Sequence, residues 1–379
     1  MITSKFKKVI AVDTSKNTFN LCVRDLATNK ESFHKIRRDD FVSRVIQMAT
    51  DGSVVVMESC GGSHHWARTF KNAGVAVRLI APQHARKFLP NKRMKNDTND
   101  AIAICRCAVQ PETKFVRIKT EEESAISSTH CQRRTVISLR VASENRMRAM
   151  LQESGLVFPA GEKGLNKMLD FIYSECITNC MTEEKLINLR DEAEHYRYQR
   201  KREERLDEQI YNTARNNELS RLAMGCPGVG ALTASAVISQ LGDCSQFKNG
   251  REMAAMIGLT PTQNSTGGRN NLGPISKNGN TYLRSLLTMG AESIIRTMTA
   301  REDKNRATQL DEFARRLLNR GKQTRKVIIA LAARMARTLW VILSRKEAFK
   351  NTLQETNCET DCKTSCEANC EINCETVKQ

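Results

Sequence analysis

Hydrophobic and polar positions change their rhythm three times along the chain, and each rhythm predicts a different kind of structure. In residues 8–23, Val9, Ile10, Ala11 and Val12 form a short apolar run. A Thr-Ser-Lys-Asn turn follows, after which Phe19, Leu21 and Val23 alternate with polar positions, and together these read as a β-hairpin. Residues 53–57 (Ser-Val-Val-Val-Met) read as a buried strand that ends at Glu58 and runs into Gly61 and Gly62. Residues 64–73 then read as a helix and residues 75–80 as another strand. Strands and helices in this order predict an α/β domain with a central sheet, whose ligands collect at strand ends.

From about residue 120 to 224 the pattern becomes long, charged and helical, broken by Gly155, Pro159 and Gly161. Thr182 with Glu183 and Glu184 is a helix start, and Leu186, Leu189, Ala193 and Tyr196 make one apolar stripe beyond it. That stripe is either a dimer seam of a coiled-coil arm or one side of an intramolecular helical hairpin. A third, mainly helical unit follows, dense in glycine and proline through Pro274, with helices expected around residues 281–298 and 308–344. The expected division is therefore 1–120, an α/β domain; 121–221, a helical spacer or coiled coil; 222–346, a helical domain; and 347–379, a tail.

Charge narrows the partner. Lys and Arg number 60 against 42 Asp and Glu in 379 residues, a formal net charge of +18, and phosphate neutralisation dominates nucleic-acid affinity. A membrane surface is the rival partner. No apolar run is read as approaching the roughly 20 residues that span a bilayer, and residues 1–8 lack the apolar core of a signal peptide. The expectation is a cytoplasmic protein without a membrane partner. Nine of the 14 cysteines are scattered through helices and strands and read as reduced thiols. The other five, Cys358, Cys362, Cys366, Cys370 and Cys374, recur at every fourth position of a polar tail. That spacing reads as low-complexity, solvated sequence, with metal or redox chemistry as the alternative.

Four carboxylates change the picture again. Asp13 directly follows the first strand, Glu58 caps another, and Asp97 and Asp100 stand three apart where a helix begins. Singly they are a turn residue, a helix-entry charge and two N-cap candidates. If the two strands are neighbours and the helix packs across their ends, the four converge. They are then enough to hold two Mg²⁺ ions about 4 Å apart, an arrangement suited to in-line attack on phosphate.

The segments Ile10-Ala-Val-Asp13-Thr-Ser-Lys16, Met57-Glu58-Ser-Cys-Gly-Gly-Ser-His-His-Trp66 and Lys95-Asn-Asp97-Thr-Asn-Asp100-Ala101 resemble the DEDD transposases of the insertion sequence 110 family, in its insertion sequence 1111-like subgroup. The resemblance implies a RuvC-like, RNase H-like catalytic domain with Asp13, Glu58, Asp97 and Asp100 as ligands of two Mg²⁺ ions. Arg93 and Lys95, just upstream of the aspartate pair, would lie near phosphate or be solvated surface charge. His64 and His65 are as suited to packing or capping as to touching DNA.

In the third unit, Leu222-Ala-Met-Gly-Cys-Pro-Gly228-Val-Gly230-Ala-Leu-Thr233 resembles a helix-hairpin-helix element, in which glycines let backbone N–H groups approach a DNA phosphate; a plain helix-helix turn also needs glycine. Residues 254–268 and 273–284 resemble the C-terminal domain of the same family. That likeness implies Ser265 as nucleophile forming a phosphoserine link, with Thr266 adjacent, and a serine hydroxyl needs an activating metal or base. Arg269, Lys277 and Arg284 are phosphate-contact candidates of the same segment. The family resemblance further implies DNA partners, namely element ends and target, a structured guide RNA and a homo-oligomer, dimer or tetramer. The alternatives are a RuvC-like junction nuclease that uses water, and an inactive nucleic-acid-binding relic.

Overall fold

The computed structural model describes residues 2–89, 96–264, 271–300 and 308–350. Two compact units divide at Ala125 and Ile126. The first opens with β1 (Lys8–Asp13), β2 (Thr18–Asp25) and β3 (Glu31–Arg37), followed by α1 (Phe41–Met48), β4 (Ser53–Glu58), α2 (Ser63–Asn72) and β5 (Ala76–Ile80). Next come the single turn α3 (Pro82–Ala85), α4 (Asp97–Ala108) and the short β6 (Phe115–Val116).

The six strands form one mixed sheet in the order β3-β2-β1-β4-β5-β6. Strand β1 is antiparallel to β2 and parallel to β4, so it sits centrally with both faces covered. This is why Val9, Ile10, Ala11 and Val12 form a continuous apolar run instead of alternating: each is fully buried. Their side chains divide by parity. Val9, Ala11, Cys22, Val54 and Val56 pack under Ala101, Ile104 and Cys105 of α4, while Ile10, Val12, Leu21, Val55 and Met57 pack under Phe41 of α1 and Phe70 of α2. Phe19 and Phe41 stack at 3.8 Å, with Trp66 edge-on to both.

The helix α5 (Glu121–Gln152) begins just before the boundary. In the second unit follow α6 (Glu162–Ile172), α7 (Glu183–Asn216), α8 (Glu218–Met224), α9 (Ala231–Leu241) and α10 (Gly250–Ile257). A two-stranded hairpin of β7 (Pro261–Gln263) and β8 (Leu272–Ile275) precedes α11 (Thr281–Ala300), α12 (Gln309–Asn319) and α13 (Thr324–Arg345). Helices α5 and α7 run antiparallel, as the ion pairs Arg133–Asp207, Arg140–Glu203 (2.6 Å) and Arg146–Glu192 (2.6 Å) require: rising numbers on one helix meet falling numbers on the other. The stripe of Leu186, Leu189, Ala193 and Tyr196 is buried at the far end of this pair, against Met147, Leu151, Met168 and Ile172. It is therefore the side of an intramolecular hairpin, and residues 126–221 of the expected spacer lie in the same compact unit as the C-terminal helices.

One sequence expectation needs correcting. Helix α13 is, by length and composition, long and apolar enough to cross a membrane. Its sequence hid this because Arg334 and Arg337 interrupt the apolar residues at positions the helix turns away from its buried face. That face, Val327, Leu331, Met335, Leu339 and Ile342, belongs to the core of the second unit.

Candidate active site

Strand parity alone puts the first two carboxylates together. Val12 is level with Met57 in the parallel β1-β4 ladder, so Asp13 and Glu58 end neighbouring strands side by side. Both continue the phase of Val9-Ala11 and Val54-Val56, which faces α4. Asn20 lies opposite Asp13 on β2, and its Nδ2 donates to Oδ2 of Asp97 at 3.3 Å. Asp97, Ala101, Ile104, Cys105 and Ala108 share one helical stripe, so the helix that closes over the sheet carries Asp97 at its head. Asp100 follows in the same first turn. The helix begins here because the Asn96 side chain accepts from the Asn99 N–H (2.7 Å).

The loops after the two strands are tied as well. Thr14 Oγ1 and Cys60 Sγ are 2.9 Å apart. Partial desolvation of the Cys60 thiol, reinforced by the negative charges of Glu58 and Asp13 and opposed by the Thr14 hydrogen bond, raises it above an ordinary thiol. Oxygen donors at adjacent strand ends, capped by a helix bearing two more, are the hard ligand set that suits Mg²⁺. Asn20 escaped sequence reasoning. Its signal was a polar residue inside the run Phe-Asn-Leu-Cys-Val, in phase with the side that faces the helix.

His64 belongs to the scaffold. Its Nδ1 accepts the Lys119 backbone N–H at 3.2 Å, and burial, with Lys119 and Arg68 nearby, holds the ring down at about 4, hence neutral. Arg93 and Lys95 lie outside the described residues.

In the second unit, α8 and α9 are joined by the turn that carries both glycines. Gly228 has φ +76, and a Cβ there would meet Gly290 O at 2.7 Å, Ile294 Cδ1 at 2.8 Å and Met335 Cε at 2.9 Å. Its need for glycine is thus met by packing on α11 and α13. Gly230 is the N-cap of α9, exposed, with nothing within 4 Å of a would-be Cβ, so a phosphate has room to approach. Arg284 donates from Nη1 to the Ile257 carbonyl (2.9 Å), neutralising the carbonyl end of α10, and from Nη2 to Thr281 (3.2 Å). Lys277 stands at φ 54 in the turn that returns to α10, its N–H reaching Gly258 O at 3.3 Å. Ser265, Thr266 and Arg269 lie outside the described residues; the chain reaches them from β7 and leaves them into β8, and Asn264 N–H bonds Asn271 O (3.0 Å) across the hairpin.

Comparison with known proteins identifies the family. Residues 10–155 match the DEDD IS110 profile, described as Transposase, and residues 220–307 match the profile of the Transposase IS116/IS110/IS902 family. The transposase for insertion sequence element IS1111A of Coxiella burnetii is 34% identical over 354 residues, covering 90% of this chain and 91% of its own. A probable family 20 transposase of Pseudomonas aeruginosa is 36% identical over 302 residues, 78% of this chain and 86% of its own. The transposase for IS1328 of Yersinia enterocolitica is 31% identical over 344 residues, 90% of this chain and 98% of its own. The mixed sheet is consistent with an RNase H-like DEDD domain, and the matches extend through both units. The chain belongs to the IS110 family of transposases, whose activity is the cutting and rejoining of DNA.

Proposed function

We propose that this transposase cuts and rejoins the DNA of an insertion sequence with two Mg²⁺ ions held by Asp13, Glu58, Asp97 and Asp100, and with Ser265 as nucleophile. The observation that carries the reading is the convergence of Asp13, Glu58 and Asp97 at one end of the sheet, on the face that α4 covers. When bound, the ions would lower the pKa of the attacking hydroxyl and offset charge on the leaving oxygen. The chain's own part is positional. Asn20 holds Asp97 by its amide, and the Asn96 cap fixes the first turn from which Asp97 and Asp100 project.

Attack by the Ser265 oxygen on a DNA phosphorus would form a phosphoserine bond and release the 3′ oxygen; reversal by a second strand's 3′ hydroxyl would reseal the junction without loss of bond energy. The excess of basic residues suits both DNA and a structured guide RNA, the partners the family resemblance implies, and a homo-oligomer would hold two DNA segments for joint exchange. The test is cleavage of supercoiled DNA carrying the element's ends and flanking noncoding RNA, with wild type and Ser265→Ala, probed for covalently attached protein. Mg²⁺-dependent adduct formation lost in the variant supports serine recombination. Cutting without an adduct would replace it with the junction-nuclease reading.

A further inference from the structure

Beneath α4, away from the carboxylates, lies a second cluster of metal-ligating atoms. Cys22 on β2 and Cys105 on α4 are both fully buried, and their sulfur atoms, with a carboxylate oxygen of Glu31 on β3, all lie within 4.8 Å of one another. The fold dictates the meeting. Arg24 is level with Glu31 in the β2-β3 ladder, so Glu31 is the diagonal neighbour of Cys22 on the same face. Cys105 descends on this face from the stripe that begins with Asp97.

We propose that Cys22, Glu31 and Cys105 form a thiolate-rich site for a zinc-like divalent cation, which ties the aspartate-bearing helix to β2 and to the edge strand β3. Tetrahedral zinc at about 2.3 Å from each sulfur sets the sulfurs roughly 3.8 Å apart, a separation inside the 4.8 Å within which the present ligand atoms all lie. Two thiolates and a carboxylate select a borderline-soft ion over Mg²⁺. They leave a fourth position for water.

Charge and hydrogen bonding fit the same occupant. With a divalent ion the three anionic ligands sum to one net negative charge, and Arg24 stands beside them, paired to Glu31 at 3.5 Å. Its Nε is buried without an acceptor among the described residues. A metal-bound thiolate or carboxylate would supply one. Hydrogen bonding to Cys105, aided by Arg24 and Arg106, lowers the Cys22 thiol, and the same bond and burial raise Cys105. Metal binding would displace thiol protons, so uptake strengthens as pH rises.

The site is independent of the DEDD reading, and its test needs no catalysis. The full chain with its five tail cysteines changed to serine is reduced, freed of metal and titrated with Co²⁺, then Zn²⁺. One cobalt per chain should give a sulfur-to-cobalt charge-transfer band that zinc abolishes; the DEDD carboxylates, being oxygen donors, cannot produce it. Glu31→Gln, at an exposed residue, should weaken cobalt affinity at least about 10-fold, and Cys105→Ala should remove the band while leaving the circular dichroism unchanged. If Cys105→Ala does not fold, Glu31→Gln decides alone. No thiolate band in the reduced parent, unchanged affinity in Glu31→Gln, or a band that persists in folded Cys105→Ala would each overturn the site.

Discussion

Replacing Gly228 by alanine separates packing from DNA contact in the α8-α9 turn. An L-residue at φ +76 costs about 1–2 kcal/mol. The added methyl would also stand under 3.0 Å from Gly290 O, Ile294 Cδ1 and Met335 Cε, and overpacking of this kind costs about 1–3 kcal/mol. Together the second unit should lose roughly 2–5 kcal/mol. With a urea slope of about 3 kcal/mol/M, the midpoint followed by helical circular dichroism should fall by roughly 0.7–1.7 M. Gly230→Ala is the control: its φ of −84 suits alanine, its surroundings are open, and exchanging a glycine N-cap for alanine costs about 1 kcal/mol or less. That variant should instead weaken DNA binding, because the methyl projects where a phosphate would sit. Unchanged stability of Gly228→Ala together with lost DNA affinity and a shallower salt dependence would refute the packing argument and restore Gly228 as a phosphate contact.

Asp13→Asn and Glu58→Gln should each reduce Mg²⁺-dependent strand cleavage by roughly 100-fold or more while leaving the melting temperature nearly unchanged, checked by supercoil nicking alongside calorimetry; a collapsed melt would mark that acid as structural. Asn20→Ala, which frees Asp97, should raise the Mg²⁺ concentration needed for half-maximal cleavage about 10-fold, with the maximal rate recovered at saturating metal. His130 is buried, with Nδ1 3.0 Å from Tyr282 Oη and Nε2 3.1 Å from Ser235 Oγ, and burial foremost, then Arg133, holds its ring down at about 4. A depressed folded-state value means that stability is fully present above the unfolded value near 6.5 and is lost as pH falls from there through about 4. Unfolding free energies from urea titrations across that window should fall by up to roughly 3 kcal/mol, at about 1.36 kcal/mol per pH unit, and His130→Gln should flatten the fall.

The parts of the fold legible in sequence are those where burial leaves a period. Strands β1, β2, β4 and β5 were marked by apolar runs or alternation, and Asp13 and Glu58 by their place at the ends of β1 and β4. Strand β3 was illegible because it is an edge: of Glu31–Arg37 only Ile36 is buried, so no alternation is written into it. The β7-β8 hairpin escaped for the same reason, with Leu272 exposed and two prolines in its strands. The helices α5 and α7 were legible as helices, but the choice between a dimer seam and an internal pairing required the ion pairs that join them. At the site, the four acids were marked by motif and spacing. Asn20 was not, because its importance depends on register: only the ladder places it opposite Asp13 and beneath Asp97.

The start of α4 has an electrostatic consequence for a site crowded with negative charge. Aligned peptide dipoles leave a partial positive charge of about half a unit at a helix N-terminus, and acids in the first turn gain about 0.3–1 kcal/mol each. Asp97 and Asp100 occupy that turn. Two of the four acids therefore stand in the helix's own positive field while the other two extend parallel strands, so the backbone offsets part of the repulsion before any cation arrives. Neutralising Asp97 or Asp100 would therefore remove an anchor of the helix along with a proposed metal ligand.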